Sequence, residues 1–194
     1  MGKAPALIAL LQDTDSWTQG CAAKALAERG MREAIPAIAA LLGGRARQGA
    51  AEALGRLRSD AHAPDLVRLL RDQDPTVRDA AAKGMLQLGS AAAVAALDAA
   101  LDRDAGLVLR LPSDDVVVRL QPIEALVRRL RDPDSTIRVR AVELLGKCAD
   151  PSARKAVAGA IGDVDPNVRA RVAGILSSGG DEETLTTLLR DPDC

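Results

Sequence analysis

The sequence predicts an all-α fold in which helical hairpins stack into a right-handed α-α superhelix, and three observations lead to it. An Asp-x-Asp motif follows an apolar run again and again, with its second Asp at positions 15, 74, 104, 134, 165 and 193. Apolar residues after these motifs recur at helical spacing. The single aromatic residue is Trp17, so the core must consist of small aliphatic side chains, which suit closely packed helices.

The spacing of the motifs indicates structural repeats. The last four intervals between second Asp residues are 30, 30, 31 and 28 residues. The interval from Asp15 to Asp74 holds one further, degenerate unit, which has Gly43-Gly44-Arg45 in place of the acidic pair. A period near 30 residues is typical of stacked units, none of which can bury its apolar face alone. We therefore expect about six helical hairpins that form a single domain over residues 1–194.

Each unit is expected to contain a first helix, a loop with the acidic pair, and a second helix. Prolines at positions 5, 36, 64 and 122 mark the starts of first helices. Second helices should begin at Asp-Pro or Asp-Ser, because Asp caps a helix and proline at the first position lacks an N–H that would be unsatisfied anyway. The three plainest starts are Asp74-Pro75, Asp134-Ser135 and Asp165-Pro166. A lone helix from Glu183 to Arg190 should end the array.

One irregular segment, residues 105–121, departs from the pattern. The second helix of the fourth unit belongs there, but Pro112 would fall within it, at a cost of about 3 kcal/mol. The stretch LVLRLPSDDVVVRL alternates apolar and polar residues around a turn, which predicts a β-hairpin. Its apolar face would carry three leucines: Leu107, Leu109 and Leu111. A short helix capped by Ser113 and running to Gln121 is the alternative.

The units resemble the HEAT-like repeats of the phycobilin (PBS) lyase type, which read as an apolar helix followed by D-x-D-P-x-V-R-x-A-A-x-A-L-G. Three stretches carry the motif most plainly: DQDPTVRDAAAKGM (72–85), DPDSTIRVRAVELLG (132–146) and DVDPNVRARVAGIL (163–176). The resemblance covers nearly the whole chain and implies a HEAT-like α-solenoid, an armadillo-type fold. The family includes bilin-attaching proteins, adaptors and scaffolds, so the resemblance implies no single function.

Composition gives no general attraction to nucleic acid or to anionic membranes, because 26 basic residues are balanced by 27 acidic ones. No apolar run approaches the roughly 20 residues of a membrane span, and the N-terminal stretch has no cleavage-site pattern. Cys21, Cys148 and Cys194 are widely spaced and odd in number, which fits neither a metal site nor a disulfide framework. We expect free thiols and a cytoplasmic location.

The residues that could support catalysis favour a structural interpretation. The acidic pairs recur in unit after unit, so we expect them to cap helices and to pair with Arg78, Arg138 and Arg169, four residues after the second Asp. His62 is the only histidine, so a histidine metal cluster or a nucleophile–histidine relay is not expected. The sequence predicts no enzyme activity, no metal and no cofactor.

A row of arginines is the first candidate surface for a partner. Arg138, Arg140, Arg169 and Arg171 hold matching positions in two successive second helices. In HEAT-type arrays these helices line the concave surface, where guanidinium groups could bind an acidic peptide. Arg138 and Arg169 belong to the repeating motif and equally fit Asp–Arg ladders between loops. Arg140 and Arg171 lie outside the motif and are the stronger candidates.

Two further places are candidates for partner contact. Trp17, in the first loop, could be an anchor for a partner, although filling the end of the array is the favoured interpretation. A hairpin over the irregular segment would present four charged residues to a partner: Arg110, Asp114, Asp115 and Arg119.

Together these observations predict a non-catalytic scaffold or adaptor that binds a protein partner, with an acidic segment as the expected ligand. Bilin lyase-like binding of a tetrapyrrole is an alternative implied by the resemblance, but the absence of Phe and Tyr disfavours it. Nucleic-acid binding, as in the HEAT-like DNA glycosylases, is disfavoured by a net charge of −1 and a single Trp. The sequence ends at RDPDC, where other units begin a second helix, so we expect either a fragment of a longer array or a last helix that caps the stack and leaves an edge for a partner or for end-to-end association with a second copy.

Overall fold

The protein is described from a computed structural model, which covers residues 3–178 and their side chains from residue 5 onward. Its secondary structure consists of helices joined by turns, with no strand among the residues described. No helix in that range is long and apolar enough to cross a membrane. The predicted helix Glu183 to Arg190 and the thiol of Cys194 lie outside the described residues.

Six helices form the first part of the chain as three hairpins. They are α1 (Lys3–Leu10), α2 (Ser16–Glu28), α3 (Ile35–Ala40), α4 (Arg47–Arg56), α5 (Ala63–Leu69) and α6 (Pro75–Leu88). The next three are α7 (Ala91–Arg103), α8 (Leu107–Arg110) and α9 (Asp115–Leu120), and the last four are α10 (Ile123–Arg129), α11 (Ser135–Lys147), α12 (Pro151–Gly159) and α13 (Pro166–Ser178). Short 3₁₀ turns lead into α3 and α5 and follow α3.

The chain packs as two compact units. The first comprises the residues up to Leu97 together with Arg110–Val116, and the second comprises Asp98–Leu109 and the residues from Val117 onward. Each unit has its own core of small aliphatic side chains. The expectation of one domain over residues 1–194 stays a prediction.

In the first unit the second helices α2, α4 and α6 pack side by side, and α1, α3 and α5 each pack on the second helix that follows. Glycines let these second helices approach closely. A Cβ added to Gly55 of α4 would lie 2.3 Å from the Cα of Gly84 in α6, and one added to Gly49 would lie 2.6 Å from the Cα of Gly20 in α2. Backbone contact at that distance leaves no room for a side chain.

In the second unit α10 and α11 form one hairpin and α12 and α13 the next, with the second helices α11 and α13 packed together. Gly146 of α11 again marks the close approach, here against the side chain of Ile175 in α13. Fully buried aliphatic residues on the two helices, such as Leu145 and Val172, supply the core.

The predicted starts of the second helices are confirmed. Asp15, Asp74 and Asp134 are the N-caps of α2, α6 and α11, and each accepts a hydrogen bond from a backbone N–H two or three residues later. Asp165 accepts one from the N–H of Asn167 at 2.8 Å. The degenerate second unit lacks such an acid, and the N-cap of α4 is Ala46, which offers no side-chain hydrogen bond. The first helices α3, α5 and α10 likewise begin next to the predicted prolines, and Pro5 lies in the first turn of α1.

The predicted hairpin in the irregular segment is wrong, because α8 and α9 occupy it. Pro112 interrupts a helix here and does not turn a pair of strands. Leu109, assigned to the apolar face of the hairpin, is 50% exposed. The other two leucines of that face, Leu107 and Leu111, are buried, and so are Val108, Val116, Val117 and Leu120, at helical spacing.

The alternative, a short helix capped by Ser113, is confirmed in its main features. The hydroxyl of Ser113 accepts a hydrogen bond from the N–H of Asp115 at 3.1 Å, and α9 ends one residue before Gln121. Gln121 has a φ of 50°, and this left-handed residue ends the helix. Alternation of apolar residues over so short a stretch does not distinguish a strand from a short helix. Pro112 lies between two short helices, each of which buries one side.

Candidate functional site

The acidic pairs build a repeated loop. In four pairs, those ending at Asp15, Asp74, Asp134 and Asp165, the first Asp accepts a hydrogen bond from the backbone N–H of the second, at 2.8 to 3.0 Å. The second Asp of each of these pairs caps the following helix. The pair that ends at Asp104 differs, because the N–H of Asp104 donates to the carbonyl of Ala100 and the carboxylate of Asp102 accepts from Arg128. Hydrogen bonds from the hydroxyl and the amide of Thr76 hold the pKa of Asp74 below its ordinary value. These carboxylates are therefore engaged in shaping loops, as the structural interpretation predicted.

The motif arginines close the same loops. Nη1 of Arg78, Arg138 and Arg169 donates to the carbonyl of the first Asp of its own loop, at 2.7 to 2.8 Å, and to the next carbonyl at 3.0 to 3.2 Å. In the first loop Gln19 takes this place and donates to the carbonyl of Asp13 at 2.7 Å. Loop carbonyls that would otherwise lack a donor are satisfied in this way.

Two arginines also reach the next repeat. The guanidinium of Arg138 donates to both carboxylate oxygens of Asp163 at 2.9 Å, and Arg47 donates to those of Asp72 at 2.7 and 3.0 Å. Burial raises the pKa of Asp163, but hydrogen bonds from Arg138 and from a backbone amide outweigh it, so that pKa lies below its ordinary value. Arg138 is only 8% exposed, which favours the ladder interpretation over contact with a partner.

The two arginines outside the motif share one carboxylate, which the sequence reasoning missed. Nη1 of Arg140 donates to Oε2 of Glu143 at 3.1 Å, and Nη2 of Arg171 donates to Oε1 of the same side chain. Arg140 is half-buried and its Nε also faces the carbonyl of Val108 at 3.4 Å, whereas the side chain of Arg171 is 51% exposed. The basic ridge, defined as Arg140 and Arg171, thus surrounds an anion. The signal was present, since Glu143 stands three residues after Arg140 on one helix.

The structure contradicts the favoured interpretation of Trp17, because its side chain is 76% exposed and does not fill the end of the array. It lies in the first turn of α2, directly after the Asp15 cap. Together with Gly20 and Lys24 of α2 it lines an open groove of about 370 Å³. The Trp17 groove is also lined by residues just before and at the start of α4, among them Arg45 and Gln48.

The charged residues of the irregular segment differ in exposure. Arg110, Asp115 and Arg119 are exposed, and Asp114 is half-buried. Arg110 and Asp114 have interactions with other groups. Their role in binding a partner stays a prediction.

Other groups that could carry chemistry are dispersed. Among the residues described, no three His, Cys, Asp or Glu side chains lie together as a metal site would require. Cys21 and Cys148 are free thiols, and burial raises the pKa of the Cys148 thiol. His62 is tied to Ser59, whose Oγ lies 2.8 Å from Nδ1, and Ser59 is buried in the turn before α5.

Comparisons with known proteins agree with this architecture. A family model for HEAT repeats matches residues 44–113 and 123–193. An engineered protein of known crystal structure superposes with a TM-score of 0.51 at 22% identity, over 97% of this chain and 98% of that chain. The CpcE and CpcF complex of phycocyanin lyase from Nostoc sp. PCC7120 superposes with a TM-score of 0.53 at 22% identity, over 93% and 78% of the two chains. No curated protein sequence matches the chain.

Likeness at 22% identity concerns the fold alone, and with the family match it confirms the predicted class, an all-α solenoid of HEAT-like repeats.

Proposed function

Since the chain belongs to the family of HEAT-repeat proteins, we propose that it is a non-catalytic scaffold or adaptor that binds another protein through the exposed surface of its repeats. Repeats of this kind present a broad, rigid surface on which a partner segment can lie. The loops that carry the acidic pairs are held by hydrogen bonds within and between repeats, so their carboxylates serve the scaffold.

The exposure of Trp17 is the observation that carries the proposal. The core of the protein consists of aliphatic side chains, and Trp17 lies outside it. At 76% exposure its indole offers a large apolar area to water. Tryptophan is among the residues most enriched at the energetic centres of protein interfaces. The Asp15 cap fixes the helix turn that carries it, so the indole is presented from a rigid element.

The basic ridge and the exposed charges of the irregular segment are proposed as further contacts with the same partner. A single Glu143 offsets part of the ridge charge, so we expect the ridge to add specificity and to contribute less affinity than Trp17. We also propose a cytoplasmic location. End-to-end association of two copies is proposed as a second arrangement.

Tetrapyrrole binding and nucleic-acid binding gain no specific observation from the structure. The phycocyanin lyase complex supports the fold at an identity too low to carry a ligand across. The net charge of −1 supplies no electrostatic footprint for nucleic acid.

Affinity capture from the native cell tests the proposal. The wild-type chain and two variants serve as bait: Trp17→Ala removes the exposed indole, and Val164→Ala trims another exposed apolar residue, 89% accessible, in a different loop. We expect a defined protein to be retained by wild type and by Val164→Ala and to be lost with Trp17→Ala. A partner retained equally by all three would mean that Trp17 does not anchor it.

A further inference from the structure

Two glycines are among the residues that line the Trp17 groove. Gly20 of α2 and Gly49 of α4 meet there, so closely that a Cβ on Gly49 would lie 2.6 Å from the Cα of Gly20. Any other residue at position 49 would force the helices apart. The same contact leaves an opening of about 370 Å³ between the first turns of the two helices, with Trp17 on one side.

The charged side chains that line this groove are both cations, Lys24 and Arg45. Nζ of Lys24 lies 2.7 Å from a carboxylate oxygen of Glu52, so its charge is already offset. Arg45 is exposed and, within residues 3–178, has no ion-pair partner. The neighbouring Arg47 differs, because it is bound by both oxygens of Asp72. One uncommitted guanidinium and one exposed indole therefore line the same groove.

We propose that the Trp17 groove binds an acidic peptide segment of the partner protein, with an apolar residue of the segment on the indole of Trp17 and an adjacent Asp or Glu paired with Arg45. This inference rests on the proposed function and names the chemistry of the ligand. A guanidinium pairs with a carboxylate through two parallel hydrogen bonds, and an aromatic ring beside it supplies contact area at little entropic cost.

The rest of the groove fits an extended peptide. Ser16 and Gln48 contribute side chains that can both donate and accept hydrogen bonds, as a peptide backbone requires. The two glycines let that backbone approach the two helices closely. A carboxylate matches the single available guanidinium better than a phosphate dianion, which is typically bound by a cluster of arginines.

A displayed library of random peptides, selected on the full chain, is the probe. Bound peptides are then synthesised and titrated by fluorescence anisotropy, in low salt and in high salt. Three variants accompany the wild type: Trp17→Ala, Arg45→Glu, and the control Lys83→Glu, which reverses an exposed cation on α6 outside the groove. A reduction of affinity of about 10-fold or more is expected for each groove variant and none for the control.

The proposal expects Asp or Glu next to an aliphatic residue in the selected peptides, weaker binding in high salt, and a preference for basic peptides in Arg45→Glu. Peptides without acidic enrichment, or affinities unchanged by Arg45→Glu, would overturn it. Selection of phosphorylated over carboxylate peptides in a second, matched set would overturn it as well. If Trp17→Ala still abolishes binding in those cases, the proposed function stands and only the assigned ligand falls; if neither groove variant matters, the groove is not the binding surface.

Discussion

The guanidinium of Arg138 donates two hydrogen bonds of 2.9 Å to the two carboxylate oxygens of Asp163, 25 residues later in the chain. Both side chains are about 10% exposed. Arg47 and Asp72 make the same contact across the same sequence separation in the first unit. In both cases an arginine at the start of one second helix is tied to the loop of the next repeat. These pairs are the polar counterpart of the aliphatic contacts between second helices.

Removal of one member of this pair should be costly. Arg138→Met leaves Asp163 nearly buried without its partner and should lower the free energy of unfolding by about 3 kcal/mol. Arg171→Met is the matched control, because it removes a half-exposed arginine from an ion pair and should cost less than about 1 kcal/mol. Urea unfolding of the two variants measures the difference. Equal losses would contradict the structural role of the buried pair.

Acid should destabilise the protein through its loop carboxylates. Hydrogen bonds from Thr136 hold the pKa of Asp134 in the folded chain below its ordinary value of 3.8, and the same holds for Asp74 with Thr76. A carboxyl group whose pKa is lower in the folded chain than in the unfolded chain stabilises the fold at pH values above its unfolded pKa. This contribution is lost as the pH falls through the folded pKa. We therefore expect the urea midpoint to be level from pH 7 to about pH 5 and to fall below about pH 4.

Asp134→Asn tests the source of that fall. Asparagine caps a helix about as well as aspartate but does not titrate, so stability at pH 7 should change little. The loss of stability in acid should become smaller than in wild type. A profile identical to wild type would contradict the assignment of the pH dependence to the cap.

The glycines between second helices should not tolerate a methyl group. Gly55→Ala would place a Cβ 2.3 Å from the Cα of Gly84 and should cost about 3 kcal/mol. Gly174→Ala, in the middle of α13 with no atom within 4 Å of the added carbon, should instead gain about 1 kcal/mol. Thermal unfolding followed by circular dichroism compares them. A neutral Gly55→Ala would show that α4 and α6 do not approach as described.

Variants of the basic ridge should change the affinity for the partner in opposite directions. Arg140→Glu with Arg171→Glu places two more carboxylates around Glu143 and should weaken binding of the captured partner, more so at low salt. Glu143→Gln removes the anion that the two arginines share and should strengthen binding. Isothermal titration with the captured partner measures both changes. If neither variant alters the affinity, the ridge is only a solvated face.

Much of the fold could be predicted because one local signal recurs in register. An Asp before Pro75, Ser135 or Pro166 marks a helix start through capping chemistry that acts within three residues. The hairpin prediction for the irregular segment also relied on a local signal, and it was wrong because local alternation could not distinguish a hairpin from two short helices around Pro112. The burial of Leu107 and the exposure of Leu109 depend on the packed environment, which a short stretch of sequence does not contain.

The candidate site was less predictable, since its features depend on contacts between repeats. The Arg140 and Arg171 positions were identified, and the spacing of Arg140 and Glu143 on one helix could have indicated their pair, but the contact of Arg171 with the same carboxylate required the placement of α11 against α13. Trp17 was expected to fill the end of the array, because a large aromatic residue is usually buried. Its exposure, and its place in one groove with Arg45, become visible only when α2 and α4 are packed together.

The environment of Trp17 in the presence of the partner tests the central claim most directly. Trp17 is the only tryptophan in the chain, so incorporation of 5-fluorotryptophan gives a single ¹⁹F resonance that belongs to this side chain, even when the partner has tryptophans of its own. The proposal predicts that addition of the captured partner shifts this resonance and protects it from a paramagnetic agent dissolved in the solvent. A partner that binds at saturation while the resonance and its solvent exposure stay unchanged would contradict the account.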